Sequence, residues 1–276
     1  MRRTVNSNLS SRGNSSADGS SGTGWRRAKR FLAVLGTIYL LPLFIAGTLH
    51  MFSGPQEHWS RADRSSAGIA PDPARTPEAL VQVYTARTYG WRGVFGVHTW
   101  FALKPPGAAA WERFEVVGFG VNRGRPAVRI GIGVPDGRWY GNNPTLLGEL
   151  RGGAAETAIR LVRAAAADYP YQSQYSAWPG PNSNTFIAHL ARRVPELHID
   201  LPANAIGKDY PVDGIIARTP SGTGWQVSLA GIIGIAAGRV EGFELNLLGL
   251  NAGVDILRPA LRLPGLGRLG MHRQTG

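Results

Sequence analysis

Two short stretches hold side chains whose pairing can do chemistry. His98 sits inside the apolar run Gly-Val-His-Thr-Trp-Phe, and Ser183 follows Pro181-Asn182. A serine hydroxyl attacks only when a base within hydrogen-bond reach takes its proton. An imidazole is the usual base, and a carboxylate can orient it. Glu115 on the next predicted strand supplies that carboxylate; Glu112 is the other choice, and strand parity alone does not separate them. Asn182 and Asn184 flank the serine and carry amide donors for an oxyanion. The same residues have a plainer reading. Asn-Ser ahead of a helix is N-cap chemistry, worth about 1 kcal/mol, and a single His in an apolar strand is an ordinary core residue.

The rest of the inventory excludes more than it offers. The chain has 276 residues and no cysteine. That removes disulfides, thiolate zinc sites, iron–sulfur clusters and cysteine nucleophiles. Six scattered histidines do not suggest a metal site, and no cofactor is expected. Gly222-Thr223-Gly224 lacks the third glycine of a dinucleotide loop, and Gly207-Lys208-Asp209 lacks the spacing of a P-loop. Asp209 and Asp213, with Pro211 between them, read as a turn. No nucleic-acid-binding motif is visible. Trp91, Trp100, Trp111, Trp139 and Trp178 read as core or cleft aromatics, with Trp100 and Trp178 as candidates to line a groove. His189, midway along a predicted helix, reads as solvated.

The elements that must position these residues begin with a membrane segment. Residues 31–49 form a run of 19 residues without a charge. About 20 apolar residues cross a bilayer core. Arg26, Arg27, Lys29 and Arg30 lie directly before it, so the positive-inside rule puts residues 1–30 in the cytoplasm and the remainder outside. The composition of residues 4–24 predicts disorder. A cleaved signal peptide is the rival, but the run is long and no clean cleavage site follows. The organisation expected is a basic cytoplasmic segment over 1–30, a transmembrane helix over 31–49, a linker over 50–77, an exported domain over 78–258 and a basic tail over 259–276.

Within the exported domain, strands are predicted from residue 81, over 93–104, over 111–121 and over 127–134. Helical spacing appears over 154–167, and a second helix, capped by Asn182 or Ser183, runs to about Val194. Beyond Gly222 the chain reads as two long strands, over 225–238 and 240–257. In the second, Phe243, Leu245 and Leu247 alternate with Glu244 and Asn246. Strands, two helices, then strands make an α+β domain.

A strand carrying His-Thr, a long gap, then Asn-Ser-Asn-Thr-Phe opening a helix resembles circularly permuted papain-like domains, including the lecithin–retinol acyltransferase relatives. The resemblance covers about residues 81–194 and implies that His98 and residue 183 face one another across a cleft. Those enzymes have cysteine where this chain has Ser183. From Val-Tyr-Thr-Ala-Arg to the C-terminal Gly-Phe-Glu-Leu-Asn-Leu-Leu-Gly-Leu, the chain is also similar to a bacterial single-pass membrane protein family of unknown function. The expectation is therefore a bacterial cytoplasmic-membrane protein with an exported, permuted papain-like domain. Its function is to bind a lipid, peptide, glycan or another envelope protein without catalysis. The alternative is an amide or ester hydrolase or acyltransferase with Ser183 as nucleophile, His98 as base and Glu115 as orienting group.

Overall fold

The computed structural model describes residues 21–271. The disorder expected over residues 4–20, and the tail residues beyond 271, lie outside the described residues. The chain divides into two compact units, Met1–Thr37 and Ile38–Gly276. Helix α1 (Ser21–Phe52) belongs to both. Residues 21–30, expected to be irregular, are thus its first turns. Its stretch Gly24–Phe52 is long and apolar enough to cross a membrane. Pro42 lies inside it; a proline there forfeits one backbone bond, which membrane helices tolerate.

In the second unit, five strands form one antiparallel sheet: β1 (Leu80–Arg87), β2 (Val97–Lys104), β3 (Glu112–Val116), β4 (Val128–Ile132) and β5 (Thr145–Arg151). Their order is β4-β3-β2-β1-β5. Strands β1 and β2 are buried along nearly their whole length because both sheet faces are covered. One face carries α2 (Gly152–Ala167) and α3 (Ser183–Arg192), with Val81, Val83, Phe101 and Phe114 meeting Ile159, Val162, Phe186, Ile187 and Leu190. The other face holds a smaller aromatic cluster of Tyr84, Trp100 and Trp111, with Trp139 against it. Strand β5 was not expected from the sequence, and β3 and β4 are shorter than expected.

The segment over 53–77 is pinned to this sheet rather than strung as a free linker. Asp136, fully buried, accepts from Ser66 Oγ at 2.9 Å and from the backbone amides of Ile69 at 2.6 Å and Ala70 at 3.1 Å.

The C-terminal part corrects the sequence reading twice. Each long strand is a hairpin: β7 (Gly224–Leu229) turns into β8 (Ile233–Gly238), and β9 (Gly242–Leu247) into β10 (Leu250–Asp255), after the short β6 (Ile216–Arg218). Ala230 and Gly231, and then Leu248 and Gly249, all have positive φ, the requirement of type I′ turns. The stretch read as a basic tail supplies β11 (Ala260–Leu263) and β12 (Gly267–Gly270). The seven strands pair in sequence order as a meander.

This second sheet is polar inside and apolar outside. Along β7, buried Gln226 and Ser228 alternate with exposed Trp225, Val227 and Leu229. Along β9, Glu244 and Asn246 are buried while Phe243 is exposed. The inward groups form a charged interior with residues 200–209. Lys208 Nζ reaches Asp209 at 2.8 Å and Glu244 at 2.6 Å. Arg262 binds the other oxygen of Glu244, and Asp200 at 2.6 Å. Asn246 and Asn251 donate to Asp209 at 3.1 and 2.9 Å. Lys208, Asp209 and Arg262, read respectively as a failed motif, a turn and a solvated tail, are parts of this network. Burial alone would lower the Lys208 pKa and raise that of Glu244; the opposite charges beside them prevail, so both stay ionised.

Candidate functional site

Strand alternation decides how the predicted catalytic residues stand to one another. Successive side chains on a strand point to opposite faces. On β2, Thr99 donates through Oγ1 to Asn184 Oδ1 at 2.9 Å, so it faces α3. His98 points the other way, into the aromatic cluster. Its ring stacks on Trp139 with centroids 3.6 Å apart and planes 14° apart, and lies 5.7 Å from Trp100. His98 and the α3 N-terminus therefore address opposite faces of the five-stranded sheet. Ser183 is buried, and its hydroxyl has no hydrogen-bond partner among the described residues.

The structure does bring His98 and Glu115 together, with Nε2 2.7 Å from Oε2. Glu112 pairs instead with Arg163. Arg113, which the sequence reading passed over, donates to Glu115 at 3.0 Å and lies 4.1 Å above the Trp100 ring. Its spacing from Glu115, two residues along one strand, placed both on the same face and was the available signal. Trp100 closes the cluster by donating Nε1–H to Pro135 O at 2.6 Å. Burial by itself would raise the Glu115 pKa; His98 and Arg113 outweigh it and hold the carboxyl below its usual range. Burial pulls His98 below its ordinary value, and Glu115 offsets only part of this.

This predicts a pH dependence. The folded state resists a proton on His98 that the unfolded chain accepts at about pH 6.5. The unfolded state then binds more protons, so the stability contributed by neutral His98 is present above that pH and is lost as pH falls below it. Thermal unfolding of the full chain in detergent should show a falling midpoint through this window, and a flatter profile for His98→Phe. An unchanged slope in the variant would mean that His98 does not carry the effect.

At the start of α3 the two asparagines are fully engaged. Asn182 is the N-cap: its Oδ1 accepts from the amides of Asn184 at 3.0 Å and Thr185 at 3.2 Å. Thr185 Oγ1 accepts in turn from Asn182 N at 3.1 Å, completing a capping box. Asn182 Nδ2 donates to Ala177 O and Ile206 O. Asn184 Nδ2 donates to Val97 O at 3.0 Å and Ile206 O at 2.8 Å. Each primary amide has two N–H donors, so neither side chain keeps one for an oxyanion. Gly207, at φ 94°, lets the chain pass beside this cap, because a Cβ there would fall 2.4 Å from Asn182 Nδ2. Trp178 is half-exposed and donates to Leu248 O at 2.8 Å, away from His98 on the loop before α3. His189, expected to be solvated, is buried, with Nδ1 3.4 Å from Asp213.

Among the described residues no group of three or more His, Asp or Glu side chains is arranged to hold a metal ion. The geometry defines an α+β domain with a closed helix cap, a buried His–Glu–Arg–Trp cluster and an apolar N-terminal helix. Residues 78–210, which contain both the cap and the cluster, match the family described as "Protein of unknown function (DUF3750)". No curated protein and no solved structure matches the chain.

Proposed function

We propose that the chain is held in the bacterial cytoplasmic membrane by residues 31–49, with residues 1–30 in the cytoplasm and the two-sheet domain outside. We propose further that this domain acts by binding an envelope component, not by serine catalysis. One observation carries the second part: Thr99, not His98, meets the α3 N-terminus. A one-residue offset along a strand reverses the face. Ser183 then lacks the base that attack requires, and the asparagines beside it have no donor to spare. An asparagine-capped helix laid on antiparallel strands is compatible with a papain-like origin for the scaffold, with the helix start kept as a structural joint. The run of basic residues ahead of the apolar segment supports the orientation.

The natural absence of cysteine makes the test direct. Ala109→Cys, at an exposed turn, and Ser183→Cys are compared in intact cells and in purified full-length protein, using a membrane-impermeant maleimide. Ala109→Cys should label without lysis. The thiol of Ser183→Cys should react more slowly than that control, with no change on adding His98→Ala. Labelling of Ala109→Cys only after lysis would reverse the orientation. A Ser183→Cys thiol that outpaces the control at about pH 6–7, and slows when His98 is removed, would restore the catalytic reading.

A further inference from the structure

The sheet face that carries His98 runs out, on its β3–β4 side, into a ring of aromatic and charged side chains. Trp59 and Phe119 are both exposed, with ring centroids 6.2 Å apart. Arg129 stands opposite Glu115 in the β3–β4 register, and residues so paired share a face. Its Nη2 donates to Phe119 O at 3.0 Å. Glu115 leads on to His98, His98 to Trp139, and Trp139 to Tyr140, whose ring centroid is 5.0 Å away. Arg64 closes the ring. Its guanidinium lies 4.3 Å above Tyr140, and its Nη2 donates to Trp59 O at 2.6 Å.

Three features of this ring have no use inside the fold. Glu115 gives Oε2 to both His98 and Arg113, while Oε1 accepts no hydrogen bond among the described residues. The side chain keeps 16% of its surface exposed. Arg64, Arg125 and Arg129 form no ion pair among the described residues; Asp63, beside Arg64 in sequence, is instead 3.6 Å from Arg138. Arg125 folds back over Gly120, next to Phe119: a Cβ on that glycine would fall 2.9 Å from Arg125 Cδ. Tyr140 takes the first position of a two-residue turn between Trp139 and Asn142, at φ 50°. Asn or Gly is usual there. A bulky residue held in the left-handed region gives up local ease, and such positions collect at ligand-binding sites.

We propose that this ring is a binding site for an acidic glycan, which rests on the reading of the domain as a binder of an envelope component and names that component's class. A carboxylate pinned at one oxygen and open at the other recognises hydrogen-bond donors, and sugar hydroxyls are donors. Arginines without a carboxylate recognise acidic groups, whether carboxylate or phosphate. Exposed aromatic rings offer flat, rigid contact area at low entropic cost, and the C–H faces of a sugar ring are flat and weakly apolar. One acidic sugar unit carries all three complements. A fatty acyl chain would match the rings and leave Glu115 and the arginines without partners. An acidic peptide would match the arginines but bring carboxylates, not hydroxyls, to Glu115. Single-stranded nucleic acid also fits rings and arginines, but the proposed export of the domain takes the ring away from it.

The test is calorimetric titration of the purified full chain in detergent. The probes are polygalacturonate, phosphorylated dextran, neutral dextran, polyglutamate and oligothymidylate. At least one of the two acidic polysaccharides should bind several-fold more tightly than polyglutamate or neutral dextran, and which one does identifies the acidic group. Trp59→Ala and Phe119→Ala should each weaken that binding about tenfold, as loss of an aromatic anchor does. Trp225→Ala, an exposed aromatic on the other sheet, should leave it unchanged. Glu115→Gln removes a negative charge, which tightens any purely electrostatic hold on a polyanion; weaker binding by this variant is the mark of hydroxyl recognition. The Trp59 and Phe119 rings are exposed, so their variants report even where Glu115→Gln lowers the unfolding midpoint. Equal binding of polyglutamate, with no loss in Trp59→Ala or Phe119→Ala, would show a plain basic surface and overturn the proposal. Failure of both acidic polysaccharides to bind, or tighter binding of oligothymidylate, would overturn it as well. Binding followed by new reducing ends on the polysaccharide would keep the site and overturn the non-catalytic reading beneath it.

Discussion

Replacing Glu244 by alanine should destabilise the domain by about 3–5 kcal/mol, the range for removing one partner of a buried ion pair. Its two oxygens are shared between Lys208 and Arg262, and all three side chains are almost wholly buried. Without the carboxylate, Lys208 keeps Asp209 and Arg262 keeps Asp200, but each of these two buried cations loses one of its charged partners. The loss should appear as a lower midpoint of thermal or urea unfolding for the purified full chain. The pH profile should change as well. Burial favours the neutral acid, but Arg262 and Lys208 hold the Glu244 pKa below its ordinary value. A depressed carboxylate adds stability above its unfolded pKa, about 4.3, and loses it as pH falls through the folded value. Glu244→Ala should therefore remove part of the acid sensitivity as well as the stability. A cost under about 1 kcal/mol, with the acid profile unaltered, would mean that the network does not hold the sheet to the 200–209 segment.

The second large effect is expected at Asn184. Asn184→Ala leaves Thr99 Oγ1 and the Val97 carbonyl without this partner in a buried site, while Ile206 O keeps its bond from Asn182 Nδ2. Each buried polar group left unsatisfied costs about 1–3 kcal/mol, so a loss of about 2 kcal/mol or more should follow. Asn184 joins three segments, namely β2, α3 and the chain before Gly207. Hydrogen exchange should therefore speed up at Val97–Thr99 and at the first turn of α3 together. Ser183→Ala removes a hydroxyl with no partner and should cost far less. Equal losses for the two variants would contradict the assignment of Asn184 as the joint and Ser183 as its bystander.

Local chemistry in this chain is readable where one element explains itself. The cap at Asn182 and the length of α2 follow from helix-start residues and from the spacing of apolar side chains. What escaped depends on context. The two C-terminal hairpins looked like single strands because Ala230 and Leu248 occupy first turn positions where Gly or Asn is expected, which left one glycine each, Gly231 and Gly249, as the turn signal. The alternation in β9 was visible, but which half faced inward was not. Only the charges gathered over residues 200–209 show why Glu244 turns in and Phe243 turns out. Arg262 and Arg268 looked like a solvated tail because their partners, Asp200, Glu244 and Asp255, are distant in sequence. Strand parity turns Thr99 and not His98 toward α3, and Glu115 could not be separated from Glu112 as the partner of His98 until β3 had a register. Single-sequence periodicity supplies alternation; the partner surface decides which side is the inside.

The strand order of the two sheets also bears on how the chain assembles. In the five-stranded sheet, β1 sits between β2 and β5, so Leu80 waits for Arg151 before its second edge is filled. In the meander every strand pairs with its immediate neighbour in sequence, so each closure spans a short loop. Short closures carry little loop entropy and form quickly. If the proposed export delivers the chain from N-terminus to C-terminus, the slow, long-range sheet has its full sequence first. The fast zippering of hairpins comes last and brings Glu244 and Arg262 onto Lys208 and Asp200. Until then those groups remain hydrated, and the cost of drying them falls due only when all the partners are present.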